Sequence, residues 1–165
     1  MKKTLLVSFL LALFGPNVLA RSSSNLAVHV ISETQDSTRV AKAVSARIDS
    51  TARYTIVDSK SLLSLDIMCF EIEKIISNAT QGMDGYVCYN SVVFRPPQLA
   101  PFESMLGTQQ IIAGKFADIV ERIFNKFVSE TSDEKLELAR DEITQRVAYF
   151  CGDPVHKSVC EQTKR

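Results

Sequence analysis

Four cysteines, two histidines and a closely spaced pair of glutamates are the residues of this 165-residue chain whose chemistry could go beyond packing. Cys69 and Cys88 each sit inside a strand-like apolar run, Leu65 to Glu73 and Tyr86 to Phe94. Cys151 and Cys160 flank the short segment Gly152 to Val159 near the end of the chain. Four cysteines allow three pairings, and proximity in sequence favours Cys69–Cys88 and Cys151–Cys160. The first pair would cross-link the two strands of a hairpin, provided the register sets the cysteines opposite. Two buried thiols acting as small hydrophobes would fit those apolar runs as well. The second pair would close a loop that turns at Asp153-Pro154. His156 lies close enough to Cys151 to suggest a thiolate nucleophile, but such a cysteine needs activation. With Cys160 at hand, a disulfide accounts for Cys151 better.

Glu71 and Glu73 alternate with Phe70 and Ile72, which on a strand points both carboxylates to one face. Such a pair could serve acid–base chemistry or hold a cation. The plainer reading is the solvated face of a strand that runs past the core. His29 is flanked by Val28 and Val30, and the only other histidine is His156. Two separated histidines without HExxH or CxxC spacing make no zinc signature. The chain also lacks GxSxG, GxxxxGKS and GxGxxG, so hydrolase elbows, P-loops and dinucleotide fingers have no support. No catalytic, cofactor-binding or metal-ligating residue is assigned, and no cofactor is expected.

The chain opens with an export address. Lys2 and Lys3 precede an uncharged apolar run from Thr4 to Phe14, Gly15-Pro16 breaks it, and Val18-Leu19-Ala20 supplies small residues for cleavage before Arg21. That run is too short to span a bilayer, which needs about 20 apolar residues. Without the leader the chain has 17 basic and 19 acidic residues, a net charge of −2. The charges are interspersed, so nucleic acid is not an expected partner. An exported chain meets an oxidising compartment, periplasmic or extracellular, where paired cysteines persist. Asn78-Ala79-Thr80 fits a glycosylation sequon, but the Met-Lys-Lys start has a bacterial look.

The elements that must position these residues follow from periodicity. Leu26 to Ile31 alternates as a first strand. Val40, Ala41, Val44 and Ile48 mark a helix over 37–50, capped by Asp36 or Ser37. Tyr54 to Asp58 is a second strand, completing a unit of βαβ size whose strands would run parallel. The central hairpin over 65–94 turns through Ser77, Asn78, Gly82, Asp84 and Gly85, and Arg95-Pro96-Pro97 ends it. Its aromatics do not form one platform, because Tyr86 shares a side with Cys88 and Tyr89 takes the other. A strand is expected over 104–113. Phe116, Ile119, Val120, Ile123, Phe124, Phe127 and Val128 predict an amphipathic helix over 115–128. A last helix, capped by Thr131 or Ser132, buries Leu136, Ala139, Ile143, Val147 and Phe150.

This order, with Arg53-Tyr54-Thr55-Ile56-Val57-Asp58-Ser59 as its second strand and Gly85-Tyr86 opening a later one, resembles small exported bacterial proteins related to the N-terminal domain of TolB and the periplasmic domain of CsgG-like assembly proteins. The resemblance spans about 100 residues, and the last helix and Cys151–Cys160 segment depart from it. It implies an α/β sandwich and an envelope role through protein contacts. The expected architecture is therefore an α/β (α+β) two-layer sandwich, a mixed sheet of four or five strands with helices packed on one face. Residues 1–20 form the leader, 21–25 a flexible lead, 26–150 one domain and 151–165 a disulfide-closed C-terminal loop. The expected function is a non-enzymatic binding or assembly module meeting another cell-envelope protein through a sheet edge or the surface near the C-terminal loop. The alternatives are a small secreted hydrolase, or an inhibitor or effector presenting that loop.

Overall fold

Strands β3 (Leu63–Glu71) and β4 (Tyr86–Phe94) form the centre of the structure, a computed structural model that describes residues 25–59, 61–75, 85–96 and 102–153. Alternation along the two strands places Leu63, Leu65, Ile67 and Cys69 on one face, opposite Phe94, Val92, Asn90 and Cys88 in turn. All eight are buried. The register sets Cys69 directly across from Cys88, and the two form a disulfide. The hairpin pairing read from the sequence is therefore the one observed.

Strand β1 (Leu26–Ser32), helix α1 (Gln35–Asp49) and β2 (Tyr54–Ile56) form the expected parallel unit, and β3 joins the other side of β1, also in parallel. Strand β5 (Ser104–Gly114) pairs antiparallel with β4. The result is an open, mixed five-stranded sheet in the order β2-β1-β3-β4-β5. Helix α3 (Phe116–Glu130) packs beside α1 over β4 and β5. Helix α4 (Asp133–Gly152) brings Leu136, Ala139 and Ile143 into the same core. That core is built from one set of alternate strand residues and the helices' apolar stripes, as an α/β sandwich requires.

Several boundaries differ from the sequence expectation, and each difference has a local cause. Helix α1 starts at Gln35 with Thr34 as its cap, whose Oγ1 accepts the Ser37 N–H at 3.0 Å. Asp36 and Ser37, the expected caps, instead tie α1 to the sheet. Ser37 Oγ accepts the Cys69 N–H at 2.7 Å, and Asp36 Oδ2 accepts the Glu71 N–H at 3.2 Å. Strand β3 ends at Glu71 rather than Glu73. After a final rung from Ile72 N–H to the Gly85 carbonyl (2.9 Å), the chain makes one helical turn, α2 (Ile72–Ile75). That turn brings Lys74 Nζ to 2.6 Å from Asp36 and 3.2 Å from Glu71. Strand β2 ends at Ile56, although Val57 still donates to the Val28 carbonyl at 2.9 Å.

Strand β5 carries an irregularity opposite Ser91, where the partners jump from Asn90–Gln110 to Val92–Leu106. Gly107 takes φ +67° there, and the Glu130 carboxyl group lies where a Cβ would project, so the turn and the close approach both require glycine. Helix α3 ends in a buried relay. Thr131, fully buried, donates to the Phe127 carbonyl at 2.8 Å. The Tyr54 hydroxyl meets the Thr131 hydroxyl at 2.7 Å. Ser132 caps α4, whose last turn includes Cys151, placed by the sequence reading at the start of a loop. Cys151 is disulfide-bonded. The leader, the hairpin loop with its sequon, His156 and Cys160 lie outside the described residues.

Candidate functional site

Two surfaces gather the residues singled out above, one on each side of the sheet. The first is a cleft of about 430 Å³ between α1 and α3, lined by Arg39, Lys115 and Phe116 from the helix side and by Glu71, Glu73, Gly85 and Tyr86 from the sheet side. It opens where β1 and β3 end, the region in which open α/β sheets present ligands. Glu71 and Glu73 thus line one cavity, but not as two residues of a strand face: Glu71 closes β3, while Glu73 belongs to the following helical turn.

The cleft's polar groups fall into a paired set and an unpaired set. Tyr86 donates its hydroxyl proton to Glu71 Oε1 at 3.2 Å, and Lys74 reaches the other Glu71 oxygen. The Lys74 ammonium, helped by the Glu71 N–H, holds the Asp36 carboxyl below the usual carboxylate range. Asp36 and then Glu71, hydrogen-bonded to Lys74, raise the lysine in return. Arg39 donates to the Tyr86 hydroxyl at 3.1 Å and stacks its guanidinium 4.8 Å from the centre of the Phe116 ring. Among the described residues no carboxylate neutralises Arg39 or Lys115, and no cation neutralises Glu73.

His29 does not join the glutamates. His29 lies mid-strand in β1, a strand paired on both sides, opposite Ser64 and on the other face of the sheet. His156 is outside the described residues. Among the described residues no cluster of three or more His, Cys, Asp or Glu side chains could hold a metal ion. Sequence reasoning missed Arg39, Lys115 and Phe116 as site residues. Arg39 reads as the wet side of a helix and Phe116 as the first residue of an apolar stripe, and only the tertiary fold brings them to Tyr86.

The second surface is the sheet face turned away from the helical core. Met68, Tyr89 and Ile111 align across β3, β4 and β5, with Phe70, Val87 and Ala113 as the next row. Ile111 is 74% exposed, Phe70 42% and Met68 36%. Below this apolar half lies a more polar half, where His29, Ser64, Asp66 and Ser91 sit in rows with Val93 and Met105. Arg95 bonds Ser64 Oγ there and pairs with Glu103 at 2.6 Å. The β5 edge beside the face is partly occupied from α3: Lys126 donates to the Thr108 carbonyl and Arg122 to that of Ala113. Such cover removes strand-edge acceptors from pairing with another chain.

Within the more polar half, Asp66 Oδ1 and His29 Nδ1 are buried without a hydrogen-bond partner among the described residues. Burial raises the Asp66 carboxyl above its ordinary value, with Glu103 and Glu33 adding to the rise and Arg95 and His29 opposing it. The folded chain therefore holds this proton more firmly than the unfolded one. The resulting stability is full below the unfolded-state pKa and is lost as pH rises through the folded value. Asp66→Asn is expected to raise stability at pH 7, by at most about 1 kcal/mol for so partly solvated a group. Urea unfolding at pH 4 and pH 7 checks it, since the gain should shrink at the lower pH.

No family model matches the chain, and no curated protein matches it either. No described helix is long and apolar enough to cross a membrane.

Proposed function

We propose that this protein is an exported, non-enzymatic binding or assembly module that meets another folded cell-envelope protein through the open face of its sheet. The observation that carries this is the apolar half of that face, where Met68, Phe70 and Ile111 stand exposed in adjoining rows. These three side chains leave on the order of 300 Å² in water, within the size of the largest apolar patch on a typical single chain, a patch that is often functional. The contact moves from the sheet edge, where α3 occupies the Thr108 and Ala113 carbonyls, to the face itself. The partly exposed Arg95–Glu103 pair lies on the more polar side of the face, which suits an apolar centre with a polar rim.

The Cys69–Cys88 disulfide supports export to an oxidising compartment, periplasmic or extracellular, as does the leader-like start. The resemblance to TolB-related and CsgG-like domains implies an envelope role through protein contacts. A hydrolase ranks below the module because, among the described residues, no histidine lines the cleft that gathers Glu71 and Glu73, and Glu71 is already held by Lys74 and Tyr86.

A photo-crosslinking residue placed at Ile111, in cells that export the protein, tests the reading. The expected result is one discrete adduct with a different protein, absent when the probe sits at Tyr149 of α4, which is 89% exposed. Phe70→Glu should abolish that adduct while leaving the folded far-UV spectrum unchanged. Equal labelling from Ile111 and Tyr149, or none from Ile111, would sink the open-face reading.

A further inference from the structure

We infer that the cleft between α1 and α3 is a binding site for a short zwitterionic peptide or amino acid, with its carboxylate on Arg39 and Lys115, an apolar side chain against Phe116 and its amino group toward Glu73. The charge pattern comes first. Asp36, Lys74 and Glu71 satisfy one another, while Arg39, Lys115 and Glu73 line the same cavity with no opposite charge supplied by the described residues. Two cations and one anion facing a cavity match a ligand that carries both signs. Arg39 is also oriented before any ligand arrives. Its contacts with the Tyr86 hydroxyl and the Phe116 ring fix a planar fork whose remaining N–H groups can take a carboxylate, at a lower entropic cost than a free side chain would incur.

Size and place agree with this. About 430 Å³ lies in the lower range of small-ligand pockets, large enough for a dipeptide and too small for a folded partner. The cleft also sits beyond the carboxyl ends of β1 and β3, on the helix side of the sheet. It is thus separate from the open face, and the inference does not rest on the module reading. An inorganic anion would use the two cations but leave Glu73 without a partner. A neutral ligand would use none of the three charges.

Nuclear magnetic resonance titration of the disulfide-bonded protein with the dipeptide Ala-Phe tests the assignment, alongside its C-terminal amide, its N-acetyl form and inorganic phosphate. Ala-Phe should shift the resonances of Arg39, Lys115 and Phe116. The amide should bind about tenfold more weakly, the usual consequence of losing a charge-assisted contact. Lys115→Gln should reduce Ala-Phe affinity by a similar factor. Glu73→Gln should make Ala-Phe and its N-acetyl form bind alike. Both are exposed side chains with no hydrogen bond or ion pair among the described residues, so neither variant threatens the fold. Phe70→Glu, on the opposite face, should change nothing in this titration. Amide binding as tight as that of the free carboxylate overturns the inference. So does phosphate reproducing the shifts where the dipeptide does not, or no shift at millimolar Ala-Phe.

Discussion

Phe127→Ala is expected to lower the unfolding free energy by about 4 kcal/mol, within the range for emptying a fully buried aromatic site. Phe127 is 0% exposed and lies in the last turns of α3, with its ring 5.0 Å from that of Tyr54 at an edge-on angle of 61°. Aromatic pairs of this geometry add to the transfer term, so the loss exceeds that of an aliphatic side chain of similar area. The site cannot collapse easily, because two elements are fixed on either side of it. The Tyr54 hydroxyl is held by Thr131, and Thr131 by the Phe127 carbonyl. Phe127→Leu keeps most of the volume and should cost less than about 1.5 kcal/mol. Tyr54→Phe keeps the ring pair and should cost about 1 kcal/mol, the net value of one hydrogen bond. Urea unfolding followed by circular dichroism orders the three. A loss below 2 kcal/mol for Phe127→Ala would mean that this junction is not a centre of the core.

What the sequence revealed, and what it hid, follows from the range of each interaction. Helix α3 is legible because seven apolar residues repeat at 3.6-residue spacing, and the structure buries five of them along Phe116–Glu130. Strand β4 is legible at both ends, since Gly85 precedes it and Arg95-Pro96-Pro97 follows. The Cys69–Cys88 pairing was within reach because two apolar runs joined by turn residues admit few registers. The residues misjudged are those whose partners lie far along the chain. Asp36 and Ser37 look like helix caps, yet their oxygens serve N–H groups of β3 that lie 35 and 32 positions away. Glu73 leaves the strand because Lys74 finds Asp36 there, a tertiary ion pair that no period-2 pattern encodes. The cleft was hidden for the same reason. Arg39, Tyr86 and Phe116 come from three segments, and each alone is an ordinary helix or strand residue. The open face was hidden because alternation tells a strand's two sides apart but not which one the helices cover.

Loss of the Cys69–Cys88 bridge should remove about 3 kcal/mol of stability, and it should do so without disturbing the fold. The bond joins residues 19 positions apart, and closing a loop of this length restricts the unfolded chain by that order of free energy. The native register has independent supports. Cys69 N–H is bonded to Ser37 Oγ, and its carbonyl accepts from Thr34 Oγ1 at 3.1 Å, so the helix α1 start grips β3 whether or not the sulfurs are joined. The β3–β4 ladder continues on both sides of the pair, from Leu63–Phe94 to Glu71–Tyr86. The double variant Cys69→Ala/Cys88→Ala should therefore keep the native far-UV spectrum, while its urea midpoint falls. Both cysteines are 0% exposed, so reductant reaches them only when the sheet opens. Reduction of the Cys69–Cys88 bridge in the native protein at neutral pH should accordingly be slow and should accelerate with urea in step with unfolding. Fast reduction in native buffer, or a stability loss under 1 kcal/mol in the double variant, would show that the bridge constrains neither state as this register requires. Compared with the double variant under the same reducing conditions, which break the Cys151 disulfide in both, the reduced protein with both thiols intact separates the two contributions, since it loses the cross-link but keeps the sulfur atoms in the core. Its stability should lie close to that of the double variant, because the constraint on the unfolded chain outweighs the packing of two small side chains.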